Sequence, residues 1–144
     1  MFGFIAVHRL ALWRNRRDEY LRDYATFSGA FDHAIEQIKS KGTTLNLLIL
    51  GEYPKHEVAM SAFIHHLKGK RKQRFQDKWS EYNGIYQKLK SLGPVWVAAT
   101  MAIIPSPDSP TTPQDLDRYE RDRTQNYFRI IQELLEIGKI EHWL

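Results

Sequence analysis

Apolar side chains recur along this chain with the pitch of an α-helix almost from end to end. Tyr20, Tyr24, Phe27, Phe31, Ala34 and Ile38 follow one another at spacings of four, three, four, three and four. Such a stripe marks the buried face of an amphipathic helix, predicted here over about residues 10–40. Gly29 lies inside the stripe and weakens it slightly. Ser40-Lys41-Gly42 is a stop signal, a basic last turn followed by glycine. Thr43 and Thr44 suit the cap of a next segment. Leu45, Leu47, Leu48, Ile49 and Leu50 then form a dense apolar run. Its leucine content and helical neighbours favour a short helix over a strand. Tyr53-Pro54 is expected to break that run. Pro54 then opens a further helix over about residues 55–67, with Ala59, Met60, Phe63, Ile64 and Leu67 inward.

A second seam follows Gly69. Phe75, Trp79, Tyr82, Tyr86 and Leu89 are spaced four, three, four and three, which predicts a long helix over about 70–92, ended by Gly93-Pro94. Residues 95–104, with Val95, Trp96, Val97, Ile103 and Ile104, suit a strand. No clear strand partner exists elsewhere, and an unpaired buried strand leaves its backbone groups unsatisfied. An extended segment or a buried helix against the bundle is therefore the alternative. Four of the six prolines fall in 105–113, a surface loop. The last helix is predicted from about Gln114, with Leu116, Tyr119, Tyr127, Ile130, Ile131, Leu134 and Ile137 inward and Gly138 as its stop. The pattern as a whole is that of a mainly α protein, an irregular bundle of four or five helices with one extended segment near 95–104. Residues 1–17 form an apolar, then basic, lead into the first helix. Residues 18–144 form one α-helical domain.

That lead is ambiguous. Phe2, Phe4, Ile5, Ala6, Val7, Leu10, Ala11, Leu12 and Trp13 are apolar, and only His8 and Arg9 interrupt them. A bilayer span takes about 20 apolar residues, so the run is too short for one. It lacks the basic start and small-residue cleavage site of a secretory signal. Arg14, Arg16 and Arg17 follow at once. An apolar stub edged by tryptophan and then arginine is a membrane-interface pattern. A helical turn docked on the core is the other reading.

Charge sharpens the picture. The net charge is +4, but residues 1–90 hold 16 Lys and Arg against nine Asp and Glu, a balance of +7, while the remainder stands at −3. The two parts either pack together and cancel, or the basic one faces an anionic partner. Five of the seven residues from 68 to 74 are basic. Lys70, Arg71, Lys72 and Arg74 lie at a helix start, where positive charge opposes the helix dipole. They are candidates, with Arg14, Arg16 and Arg17, for meeting phosphates or an acidic partner. An apolar fraction of 42% and 144 residues suit one ordinary globular domain. The absence of cysteine removes disulfides and thiolate chemistry, and is compatible with a reducing compartment.

Familiar catalytic patterns are incomplete. His56-Glu57 begins a zinc-hydrolase helix motif, but its second ligand position is Met60. Gly69-Lys70 lacks the earlier glycine and the following hydroxyl of a phosphate-binding loop. Ser28 is flanked by Thr26 and Ala30 where a nucleophile elbow needs glycines. Asp115 and Asp117 lack the rest of a calcium loop. His65 and His66 are adjacent, so on a helix they diverge by about 100° and are not expected to share a metal. No cofactor and no metal ligand is assigned. An enzyme with an unfamiliar site is the third of three readings.

The order of features resembles a family of small uncharacterised bacterial helical proteins. The matching residues are Thr26-Phe27 through Phe31, Glu52-Tyr53-Pro54, the basic run 70–74, and Phe75, Trp79 and Tyr82. The resemblance implies a helical domain, often tethered at a membrane by a hydrophobic N-terminal segment, and no known activity. The first expectation is thus a non-enzymatic interaction domain at the cytoplasmic face of a bacterial inner membrane or in the cytoplasm. Its partner would be an anionic lipid surface or an acidic protein. The second is a nucleic-acid-associated basic helical protein.

Overall fold

The computed structural model describes residues 2–93 and 113–139. Among them are five α-helices and one 3₁₀ turn: α1 (Phe2–Gly29), α2 (Asp32–Ser40), α3 (Leu45–Phe63), the 3₁₀ turn (Ile64–His66), α4 (Gly69–Leu92) and α5 (Pro113–Gly138). The protein is mainly α, as the helical pitch of its apolar residues predicts. The segment expected to be extended near 95–104 lies outside the described residues.

Contacts between helices set their directions. Tyr20 and Phe27 of α1 pack on Phe63 at the end of α3, and Phe31, just past α1, stacks on His56, earlier in α3. Phe63 and Tyr53 of α3 meet Phe75 and Tyr82 of α4. Lys78 and Tyr82 of α4 meet Glu133 and Tyr127 of α5. Each pairing runs antiparallel, so α1, α3, α4 and α5 alternate in direction around one core. Both predicted stripes face it: Tyr20, Phe27, Phe31 and Ala34 are buried, as are Phe75, Trp79, Tyr82 and Leu89. Aromatic rings dominate the centre. Phe27 stacks on Phe63 at 4.8 Å between centroids, and Tyr53 on Tyr86 at 3.9 Å. Such pairs add to the burial of their own area.

Three boundaries differ from expectation. The first stripe is carried by two helices, because the chain breaks between Gly29 and Asp32. The break exposes the Ala30 carbonyl to a new donor, and His56 Nε2 supplies it at 3.0 Å. Pro54 does not separate two helices but sits inside α3. Proline there removes one backbone hydrogen bond. Ile49 and Tyr53 before it, and His56 and Phe63 beyond it, are buried and hold the helix on both sides. The stop after α2 is executed by Lys41, which takes the left-handed conformation at φ 53, one residue before the glycine expected to do so. On α5, Tyr119 is exposed instead of inward, with the Arg123 guanidinium 5.6 Å from its ring centroid.

The apolar lead is the first half of α1. Residues 3–19 are exposed throughout, and burial begins at Tyr20. No helix among the described residues is long and apolar enough to cross a membrane.

Candidate functional site

Tyr20 marks the end of the bundle where α1 leaves it. Its ring packs edge-on against Phe63 and His66, at 5.4 and 5.2 Å. Its hydroxyl donates to the Gly138 carbonyl at 2.7 Å. The 3₁₀ turn, the start of α4 and the end of α5 therefore converge around the base of the projecting helix. At 1.5 Å per residue, Arg17, Arg16 and Arg14 stand about 5 to 9 Å further out along the axis. Beyond them come the exposed apolar residues, with Phe4 86%, Val7 70%, Ile5 57% and Leu10 54% accessible. The guanidinium of Arg17 lies 5.8 Å from the Trp13 ring centroid.

The four basic candidates of α4 divide. Arg71 is half-buried and bound into the fold: its Nε donates to the Ile137 carbonyl at 2.6 Å, a second guanidinium nitrogen donates to the Lys139 carbonyl, and its charge lies 5.8 Å from the Tyr20 ring centroid. Together with Tyr20 it satisfies carbonyls that a helix end leaves without partners, and Tyr24 donates at 2.8 Å to the Leu135 carbonyl, which also accepts from the Lys139 N–H. The start of α4 thus lies beside the negative end of α5, which stabilises positive charge there. Lys70 and Arg74 are exposed and line an open groove between α4 and α5, opposite Glu133 and Glu136. Lys72 is half-buried. Lys78, deeper in that groove, pairs with both Glu81 and Glu133. These pairs hold the Lys78 ammonium above and the Glu133 carboxyl below their ordinary ranges.

Two polar clusters were not legible as sites in the sequence. The first lies in the core. His56 is fully buried and stacks on Phe31 at 3.9 Å. Its Nδ1 accepts from the Tyr82 hydroxyl at 2.8 Å, and Tyr127 lies 3.1 Å from that hydroxyl. Burial holds the imidazole neutral, its pKa lowered from 6.5 to about 4. Burial also raises Tyr82 well above the usual phenol range and pushes Tyr127 up to about 12. Every ring nitrogen and hydroxyl here has a partner, which makes the cluster a structural network. Nearby Glu52 is pushed up by burial, but Lys55 and His33 more than offset this and hold its carboxyl below the usual range.

The second cluster is at the bundle end. His66 Nε2 lies 2.8 Å from Asp23 Oδ2, and the His65 and His66 rings lie side by side, centroids 4.0 Å apart and tilted by 35°. The expectation that adjacent histidines diverge fails here. Helical pitch fixes the Cβ directions, and an imidazole reaches far enough beyond its Cβ to turn back toward its neighbour. Position in the fold, not spacing in the chain, adds Asp23 from α1.

No protein-family model matches the chain, and no curated protein or solved structure is significantly similar to it.

Proposed function

We propose that this protein is a non-enzymatic interaction domain that docks end-on to an anionic membrane surface. The apolar half of α1 enters the lipid, and the basic bundle end rests on the headgroups. One observation carries the reading: Phe4, Ile5, Val7 and Leu10 are exposed on a helix that outruns the bundle, with arginines and lysines gathered around its base. Residues 3–13 reach about 16 Å at helical rise, about one leaflet of a hydrocarbon core of about 30 Å. Arg14, Arg16 and Arg17 then fall at headgroup depth, and Lys70, Lys72 and Arg74 add charge at the surface. Each such residue near an anionic leaflet contributes about 1 kcal/mol. Arg71 contributes its charge, although its donors are engaged by α5. Such docking would put the protein on the cytoplasmic face of an inner membrane.

Nucleic acid is a poorer partner. A single-strand binder needs aromatic faces open to bases, and Phe75, Trp79 and Tyr82 are buried.

Flotation with vesicles tests the proposal. The protein should float with vesicles containing about 30% phosphatidylglycerol, lose most of that recovery between roughly 50 and 500 mM salt, and stay behind with pure phosphatidylcholine. Ile5→Ser with Val7→Ser should abolish recovery, and Lys70→Gln with Lys72→Gln and Arg74→Gln should reduce it. Equal recovery on neutral vesicles would refute the reading. So would lipid-free self-association that the Ile5→Ser and Val7→Ser pair removes, because the apolar helix would then be covered by a second copy.

A further inference from the structure

We infer that Asp23, His65 and His66 form a binding site for a divalent first-row transition metal of the zinc class. One donor atom from each residue can be chosen so that all three lie within 4.8 Å of one another. The residues come from two elements: Asp23 from α1 and the histidines from the 3₁₀ turn that ends the α3 segment. The site therefore exists only when α1 and α3 are packed together.

The donor set selects the ion. Two imidazoles and one carboxylate suit zinc, cobalt, nickel or copper, whereas magnesium and calcium require oxygen shells. Three protein donors leave a fourth position for water or a partner's side chain. Bonds of about 2.0 to 2.2 Å place tetrahedral donors about 3.3 Å apart, so an ion parts His66 Nε2 and Asp23 Oδ2, now 2.8 Å apart, slightly and draws the remaining donor in. The least constrained residue is the one that must move. His65 is exposed, whereas His66 is held by ring contacts to Tyr20 and Phe63. Asp23 presents its Oδ2 to the turn, 2.8 Å from His66 Nε2. Arg22 lies 3.3 Å from the other carboxylate oxygen, Oδ1, and leaves Oδ2 facing the histidines. An ion bound there takes the place of the present contact between His66 Nε2 and Oδ2.

The inference is independent of membrane docking and is tested without lipid. The full chain, stripped with a chelator, is titrated with zinc by calorimetry and with cobalt by visible absorption. The expected result is one ion per chain, with cobalt bands of four- or five-coordinate geometry, undiminished by millimolar magnesium. His65→Ala should weaken uptake by at least about tenfold without altering the helical circular dichroism, because that side chain is exposed. Asp23→Asn should weaken it similarly, and His33→Ala should leave it unchanged. No saturable uptake, or uptake undiminished in His65→Ala, would overturn the site and leave Asp23 and His66 as a hydrogen-bonded pair only.

Discussion

His56 shows how much one residue can be asked to do inside this bundle. It supplies a donor to the Ala30 carbonyl at the α1–α2 break, accepts from Tyr82, and stacks on Phe31. It performs all three tasks only as the neutral imidazole. The unfolded chain takes up a proton at this residue as pH falls below 6.5, whereas the folded chain resists until about 4. Stability should therefore be fully present above that window and decline as pH drops through it, by about 3 kcal/mol at pH 4. Urea unfolding at pH 7, 5.5 and 4.5 measures this. His56→Gln, which cannot titrate, should lose the slope in that interval, and a slope unchanged in the variant would assign it to other groups. The depressed carboxyls of Asp23, Glu52 and Glu133 act lower down, losing their contribution as pH falls below about 4.5. Sequence alone placed His56 in an incomplete metal motif. Its role depends on residues 26 positions away in either direction, which no local pattern connects.

Among the elements, α5 is the one whose end is most tightly held. Tyr24, Arg71 and Tyr20 between them bind the carbonyls of Leu135, Ile137, Gly138 and Lys139. Gly138 is the pivot of this arrangement: a Cβ there would stand 3.0 Å from the Tyr24 ring and 3.2 Å from the Phe63 ring. Gly138→Ala should accordingly destabilise the protein by about 1 to 3 kcal/mol, as overpacking does, although alanine favours helix. Thermal unfolding checks this, and an unchanged or raised midpoint would show that the two rings yield. The sequence marked Gly138 as a stop, correct as to place and silent as to cause. It likewise marked Pro54 as a break. There tertiary burial on both sides of the proline outweighed a local preference, whereas at Gly29 a weak local signal grew into a full interruption because His56 stabilises the released carbonyl.

At the scale of the molecule, the projecting half of α1 stands apart from the core that the described residues build. Among the described residues, the core cluster begins at Tyr20 and takes in nothing before it. Removing residues 2–12 should therefore leave the urea midpoint of the remaining chain within about 0.5 kcal/mol of the intact protein, while abolishing vesicle recovery. A large loss of stability would mean that the apolar residues pack on the fold. Charge is arranged on the same scale. The basic excess of residues 1–90 meets the acidic end of the chain along α4 and α5, where Lys78 joins Glu81 and Glu133. What this pairing leaves over is the positive end from which α1 emerges.

The sequence by itself determined the helical class, the two aromatic seams, the position of the basic turn and the apolar character of the start. These follow from periodicity and composition, which act over a few residues at a time. Only the tertiary structure decided that Arg71 closes the end of α5, that His65 and His66 meet Asp23, and that the basic turn sits at the foot of the projecting helix. Those outcomes join positions up to 68 residues apart. They arise from the path the chain takes between helices, and a pattern read four residues at a time carries no record of that path.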